Sequence, residues 1–63
     1  MQAGYQIQDG GRVDVATVKE SRRVRVDIAR AGGNGLSATT TITLTLSEAR
    51  AISSALMGAA AEA

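Results

Sequence analysis

The chain has 63 residues, of which 44% are apolar and 21% charged, with a net charge of +1 and no cysteine, histidine or proline. The length allows one small domain, residues 1–63, while the composition excludes disulfides and leaves only carboxylates as metal ligands. Domains of this size usually need a disulfide, a metal or a partner subunit for stability. The sequence therefore predicts a homodimer without a structural metal.

The hydropathy pattern argues against contact with a membrane. The longest run without a charge, residues 31–47, is rich in threonine and glycine and is too polar for the core of a bilayer. No basic segment followed by an apolar one precedes the first strand pattern, so we expect a soluble protein in the cytoplasm.

The first predicted element is a strand over about residues 3–8, with Tyr5 and Ile7 on one face. Asp9-Gly10-Gly11 follows as a turn. Pairing Ile7 with Val13 leaves a three-residue loop that contains a left-handed glycine.

The second and third predicted strands cover about residues 12–19 and 22–30. Val18 breaks the alternation of the second strand. Either Val18 lies on the outer face, or a bulge near Ala16-Thr17 returns it to the inner face, which is the alternative we favour. Glu20-Ser21 lacks the glycine or asparagine of a tight hairpin, so we expect a longer reversal there.

A glycine-rich connection at residues 31–35 leads to a threonine-rich fourth strand at about residues 38–46. The period then changes from 2 to 3.6, which predicts a helix at about residues 48–60 that Ser47 caps. Gly58 is the position at which this helix should kink or fray. The fold class is therefore α+β, a four-stranded antiparallel meander followed by one helix packed on one face, in the order ββββα.

The predicted helix carries a row of alanines at i, i+4 spacing. Either these alanines reflect helix propensity and a close approach to the sheet, or they mark a contact between the helices of a dimer. Pairing of sheet edges across a two-fold axis is an open alternative. For a dimer through helices, the predicted interface residues are Ile52, Ala55, Leu56 and Ala59.

Basic residues concentrate in the second and third strands, where residues 12–30 have a local net charge of +3. They are either solvated strand residues with cross-strand ion pairs, such as Asp14 with Arg25, or a surface for a polyanion. The candidate nucleic-acid-binding residues are Arg12, Lys19, Arg22, Arg23, Arg25 and Arg30.

The sequence predicts no enzymatic activity, cofactor or small-molecule substrate. Without histidine or cysteine, no nucleophile can be paired with the usual general base, and the six carboxylates are scattered. The glycines at 32–35 lack the Lys-Ser/Thr of a phosphate-binding loop and precede a strand.

Three strings resemble transcriptional coactivator positive cofactor four and its bacterial and phage relatives: Tyr5-Gln6-Ile7, residues 23–28 (RVRVDI) and Ile42-Thr43-Leu44, ahead of Glu48 and Ile52. The resemblance spans nearly the whole chain. It implies a curved four-stranded sheet backed by a kinked helix, a homodimer, and a role in transcription regulation through binding of single-stranded DNA along the strands.

The resemblance places basic strand and hairpin residues of that family at Arg12, Lys19, Arg23 and Arg25. The stacking aromatics of the family are replaced here, by Val18 or Lys19 at the end of strand two and by Ala31 after strand three. The first hypothesis is therefore a homodimer that binds nucleic acid by charge more than by stacking. The alternative is a protein-interaction module, a small adaptor or phage-type inhibitor, without nucleic-acid binding.

Overall fold

A computed structural model describes residues 1–31 and 37–63 of the chain. Four strands form one antiparallel sheet in the order β1-β2-β3-β4, and one helix follows, which confirms the predicted ββββα fold class. The predicted glycine-rich connection at residues 32–35 lies outside the described residues. The elements are β1 (Gln2–Gln6), a 3-10 turn (Gln8–Gly10), β2 (Arg12–Val18), β3 (Arg23–Ala31), β4 (Ser37–Thr45) and α1 (Leu46–Glu62).

The register of the sheet separates apolar from polar side chains. Val15 lies opposite Val26, and Val26 lies opposite Ile42, whereas the neighbouring positions pair Asp14 with Asp27. Because successive side chains of a strand point to opposite faces, the sheet has an apolar inner face and a polar outer face. The inner face carries Ala3, Tyr5, Val13, Val15, Thr17, Val24, Val26, Ile28, Arg30, Ala38, Thr40, Ile42 and Leu44. The outer face carries Gln2, Gly4, Gln6, Arg12, Asp14, Ala16, Val18, Arg23, Arg25, Asp27, Ala29, Thr39, Thr41, Thr43 and Thr45.

The reversal between β1 and β2 differs from the prediction by two residues in register. Tyr5, rather than Ile7, lies opposite Val13, so β1 ends at Gln6 and the loop is longer than three residues. The N–H of Ile7 donates to the carbonyl of Gly11 at 3.0 Å in the same register, and the 3-10 turn lies inside the loop that this hydrogen bond closes. The predicted left-handed glycine is confirmed at Gly10, where φ is 78°.

β2 contains no bulge, and the prediction of one was wrong. The pairing of β2 with β3 runs without interruption from Arg12 to Val18, which places Val18 on the outer face opposite Arg23. The longer reversal expected after Val18 is confirmed. The N–H of Arg22 donates to the carbonyl of Lys19 at 3.2 Å, and Arg22 adopts the left-handed conformation with φ 54°.

The helix begins with a capping box formed by Thr45 and Glu48. The N–H of Glu48 donates to Thr45 Oγ1 at 3.1 Å, and the N–H of Thr45 donates to Glu48 Oε1 at 2.8 Å. These two hydrogen bonds satisfy donors that the first helical turn leaves free. Thr45 is therefore the N-cap, the predicted cap at Ser47 was wrong, and α1 continues through Gly58 to Glu62.

The fold has little interior. Among the described residues, no hydrophobic side chain is buried, and Gly11 alone is buried at all. The chain exposes 5128 Å², whereas folded monomers of its mass expose about 3,800 Å². Its radius of gyration is 13.3 Å, against about 10.6 Å for a compact domain of this length. The isolated chain therefore leaves exposed a surface that folded proteins of this size bury.

Candidate functional site

An apolar groove of about 510 Å³ separates α1 from the inner face of the sheet. The helix contacts β3 and β4, while the valines of β2 face open space on the far side of the groove. Nine of the ten residues that line the groove are apolar, and none is charged. They are Val13, Val15, Val24, Val26, Leu44, Ala49, Ile52, Ser53, Leu56 and Met57.

The helix that forms one wall of this groove buries none of its residues. Leu56 is 66% exposed and Met57 73% exposed, although both face an apolar floor. Water in the groove would meet walls that offer it few hydrogen bonds, because Ser53 is the one polar lining residue. A groove of this composition favours an apolar occupant over water.

The predicted dimer residues separate into two groups. Ile52 and Leu56 line the groove, whereas Ala55 and Ala59 are exposed and do not line it. Sequence analysis missed Ser53 and Met57. Their signal is the i, i+4 spacing of Ala49, Ser53 and Met57, but the row of alanines two positions further along the chain is more conspicuous.

The outer face of the sheet carries two ion pairs, each within a single strand. Arg12 Nε lies 3.0 Å from Asp14 Oδ1, and Arg25 Nε lies 3.2 Å from Asp27 Oδ2. The cross-strand pair predicted between Asp14 and Arg25 is not the pairing found. Because two of the three outer-face arginines already have carboxylate partners on their own strands, they are less available to phosphate groups.

The absence of a side chain at Gly4 makes room for the first of these pairs. A methyl group at position 4 would collide with the guanidinium of Arg12 and with the carboxylate of Asp14. The guanidinium of Arg12 therefore lies across β1, where Gly4 faces Asp14 in the register. This arrangement holds Arg12 along the sheet beside Asp14, although its side chain is still 51% exposed.

Two carboxylates meet at the centre of the outer face, where Asp14 lies opposite Asp27. Like charges opposite each other destabilise a sheet, and the flanking arginines offset that effect. Thr41 adds a hydrogen bond from β4, with Oγ1 donating to Asp27 Oδ1 at 2.6 Å. The resulting network joins three strands of the outer face through ion pairs and a hydrogen bond.

The predicted nucleic-acid-binding residues occupy three places. Arg12, Arg23 and Arg25 lie on the outer face. Lys19 and Arg22 lie in the turn between β2 and β3. Arg30 follows Val24, Val26 and Ile28 at the same two-residue spacing, so it lies on the inner side of β3. It is not brought together with the other predicted residues.

The acidic residues of the described part of the chain do not form a metal-binding cluster. Residues 1–31 and 37–63 contain no group of three metal-ligating side chains that could hold an ion. One carboxyl has a perturbed acidity: hydrogen bonds from Thr45 lower the pKa of Glu48, with a smaller contribution from the charge of Arg23. Since those hydrogen bonds form the cap of α1, the lowered pKa of Glu48 is explained by the helix cap.

The apolar groove with the exposed side of α1, and the outer face with its adjoining turn, are thus the two candidate binding surfaces. No family model, no curated protein and no solved structure matches this chain. The resemblance to positive cofactor four therefore stays a prediction. Within the described part of the chain, no helix is both long enough and apolar enough to span a membrane.

Proposed function

We propose that this protein is a homodimeric interaction module, which reaches its stable form when a second copy covers the apolar groove and α1. The observation that carries the proposal is the lack of any buried hydrophobic side chain among the described residues, in a chain that is 44% apolar. A monomer of this kind would lack the main favourable term in folding.

The excess of exposed surface has the size that a stable interface requires. The chain exposes roughly 1,300 Å² more than a compact monomer of its mass. A standard interface between two proteins covers about 800 Å² on each partner. A second copy could therefore remove enough apolar surface from water to stabilise both chains.

A charged residue placed in the groove tests the proposal. Leu56→Glu introduces a carboxylate among apolar residues, and Ser54→Glu introduces the same group on the same helix at a position that does not line the groove. We expect wild-type protein and Ser54→Glu to have twice the chain mass of 6.4 kDa by light scattering. Leu56→Glu should be monomeric or unfolded, because a buried unpaired charge is costly.

Two results would contradict this function. A folded wild-type monomer at micromolar concentration would show that the chain is stable without a partner. A Leu56→Glu protein that stays dimeric and as stable as Ser54→Glu would show that the groove is not the interface.

A second candidate function, binding of nucleic acid, is favoured by the turn between β2 and β3. Lys19 and Arg22 are exposed there beside Arg23, with Glu20 as the one acidic residue of the turn. Together with the outer face of the hairpin, this region has a net charge of +2 per chain. Two such turns in a dimer would offer a basic surface to a phosphate backbone.

Fluorescence anisotropy of a labelled single-stranded oligonucleotide, at about 50 and then about 200 mM salt, tests the second candidate. Lys19→Gln with Arg22→Asn should weaken binding, and asparagine tolerates the left-handed conformation of residue 22. The matched control, Arg30→Gln with Arg50→Gln, removes the same charge elsewhere. Absence of binding at tens of micromolar, or equal weakening by both pairs, would exclude this function for the turn.

A further inference from the structure

We infer that the groove of each chain receives α1 of the second copy, so that two helices lie side by side between two facing sheets. The inference rests on the proposed dimer and identifies the surface that forms it. Its occupant is a second copy of this chain, and the segment that enters the groove is residues 51–61.

The chemistry of residues 51–61 matches the groove. These eleven residues lie between Arg50 and Glu62 and contain no charged side chain. All of them are exposed, in a helix that buries no residue. The groove is likewise free of charge, with Ser53 as its one polar lining residue. A partner with charged side chains would lose its hydration there and find no ionic partner.

The groove offers a second helix an uncovered apolar surface to pack on. α1 contacts β3 and β4, and the valines of β2 remain uncovered beside it. A helix that entered the groove would pack on Val13 and Val15 below and on Leu56 and Met57 at its side. An extended segment would instead need backbone hydrogen-bond partners, which an apolar floor does not supply.

The contact is self-complementary, as a two-fold dimer requires. Each chain has both the groove and the uncharged helix, so the same pair of surfaces meets twice across the axis.

The surface left exposed by the isolated chain agrees with this arrangement. Ile52 is 45% exposed, and Leu56 and Met57 more so, all on the side of α1 that faces the groove. A reciprocal helix contact covers these three residues together with the β2 valines. The polar outer face stays free, so the dimer keeps both of its outer faces in solvent.

Isotope-filtered nuclear Overhauser measurements on a mixed dimer test the inference without any substitution. One half of the sample carries labelled valine methyl groups and the other half carries labelled leucine and methionine methyl groups. We expect intermolecular contacts from the methyl groups of Leu56 and Met57 to those of Val13 and Val15. The isotope filter removes the signals of contacts between residues of the same chain. Such contacts are expected as well, because Val13, Val15, Leu56 and Met57 of one chain line the same groove.

Ser53→Cys provides a second measurement, since the chain has no cysteine of its own. The substitution replaces one oxygen atom by sulfur and changes the size of the side chain little. Iodoacetamide should modify Ser53→Cys at least about tenfold more slowly in the dimer than Ser54→Cys on the opposite side of the helix, because thiol reaction requires access.

The outcomes separate the inference from the proposed dimer. A dimer whose intermolecular contacts lie only along β4, with equally reactive thiols at positions 53 and 54, would overturn the helix exchange and leave the dimer standing. A monomer by sedimentation would overturn both and leave the groove to a different protein or ligand.

Discussion

At the scale of single residues, Thr45 determines where the sheet ends and the helix begins. It is the last residue of β4, and its hydroxyl accepts from the N–H of Glu48. We predict that Thr45→Ala lowers the free energy of unfolding by about 1 kcal/mol. Ser47→Ala, at the position that the sequence favoured as the cap, should change it by less than about 0.5 kcal/mol. Urea unfolding followed by circular dichroism measures both, and a larger loss for Ser47→Ala would contradict the assignment of the cap.

Glu48 gives the same cap a dependence on pH. Its pKa is lowered by the hydrogen bonds from Thr45, so its carboxylate is more favoured in the folded state than in the unfolded state. The stabilisation is therefore complete above the ordinary glutamate pKa of about 4.3 and decreases as pH falls through the lower folded value. Glu48→Gln keeps a hydrogen-bond acceptor and cannot titrate. We predict that wild-type protein loses more stability than Glu48→Gln between neutral and acidic pH, and equal losses would contradict this role.

At the scale of the elements, two glycines should respond to alanine in opposite directions. Gly58 lies inside α1, and a methyl group there would have no atom within 4 Å. Gly58→Ala should therefore raise stability by about 1 kcal/mol through helix propensity. At the buried Gly11, an added methyl group would lie 2.7 Å from Ile7 Cδ1 and 3.3 Å from the carbonyl of Ala29. Gly11→Ala should lower stability by about 1–3 kcal/mol. Thermal unfolding of the two variants beside wild type measures whether each one raises or lowers stability.

β4 is an edge strand without the features that usually protect one. Its nine residues contain no charge, no proline and no glycine, and it pairs with β3 on one side only. Long uncharged edges favour pairing between molecules. We predict that Thr39→Lys, at an exposed position of the outer face, slows aggregation during heating. Its effect on the free energy of unfolding should stay within about 0.5 kcal/mol.

The control for this edge is Thr39→Val, which keeps the shape and increases the hydrophobicity. It should aggregate faster than wild type when turbidity is followed at the same temperature. Equal turbidity traces for all three proteins would show that β4 is not the aggregating edge.

At the scale of the whole molecule, alternation of apolar and polar residues, clearest at Val24, Val26 and Ile28, was enough to predict the strands, and the turn signals between them predicted the meander order. The change of period near residue 46 was enough to predict the helix. Details of the structure that depend on competing local interactions could not be predicted from the sequence. Either Thr45 or Ser47 could have capped the helix, and alternation alone does not distinguish a pairing of Val13 with Tyr5 from one with Ile7, because both pairings keep the same faces.

The candidate surfaces were less predictable than the fold. Alternation assigned Arg23 and Arg25 to the outer face, but it could not show that Arg12 and Arg25 each pair with an aspartate two residues along the same strand. The groove depends on how far α1 stands from the valines of β2, and no pattern in one sequence determines that distance.

The most direct test of the account is sedimentation equilibrium of the wild-type protein over a hundredfold range of concentration, combined with circular dichroism at each concentration. The account predicts a dimer whose dissociation on dilution is accompanied by loss of helical and sheet signal, because the separated chain has little interior to hold it folded. A monomer that keeps its full circular dichroism signal at the lowest concentration would contradict the account.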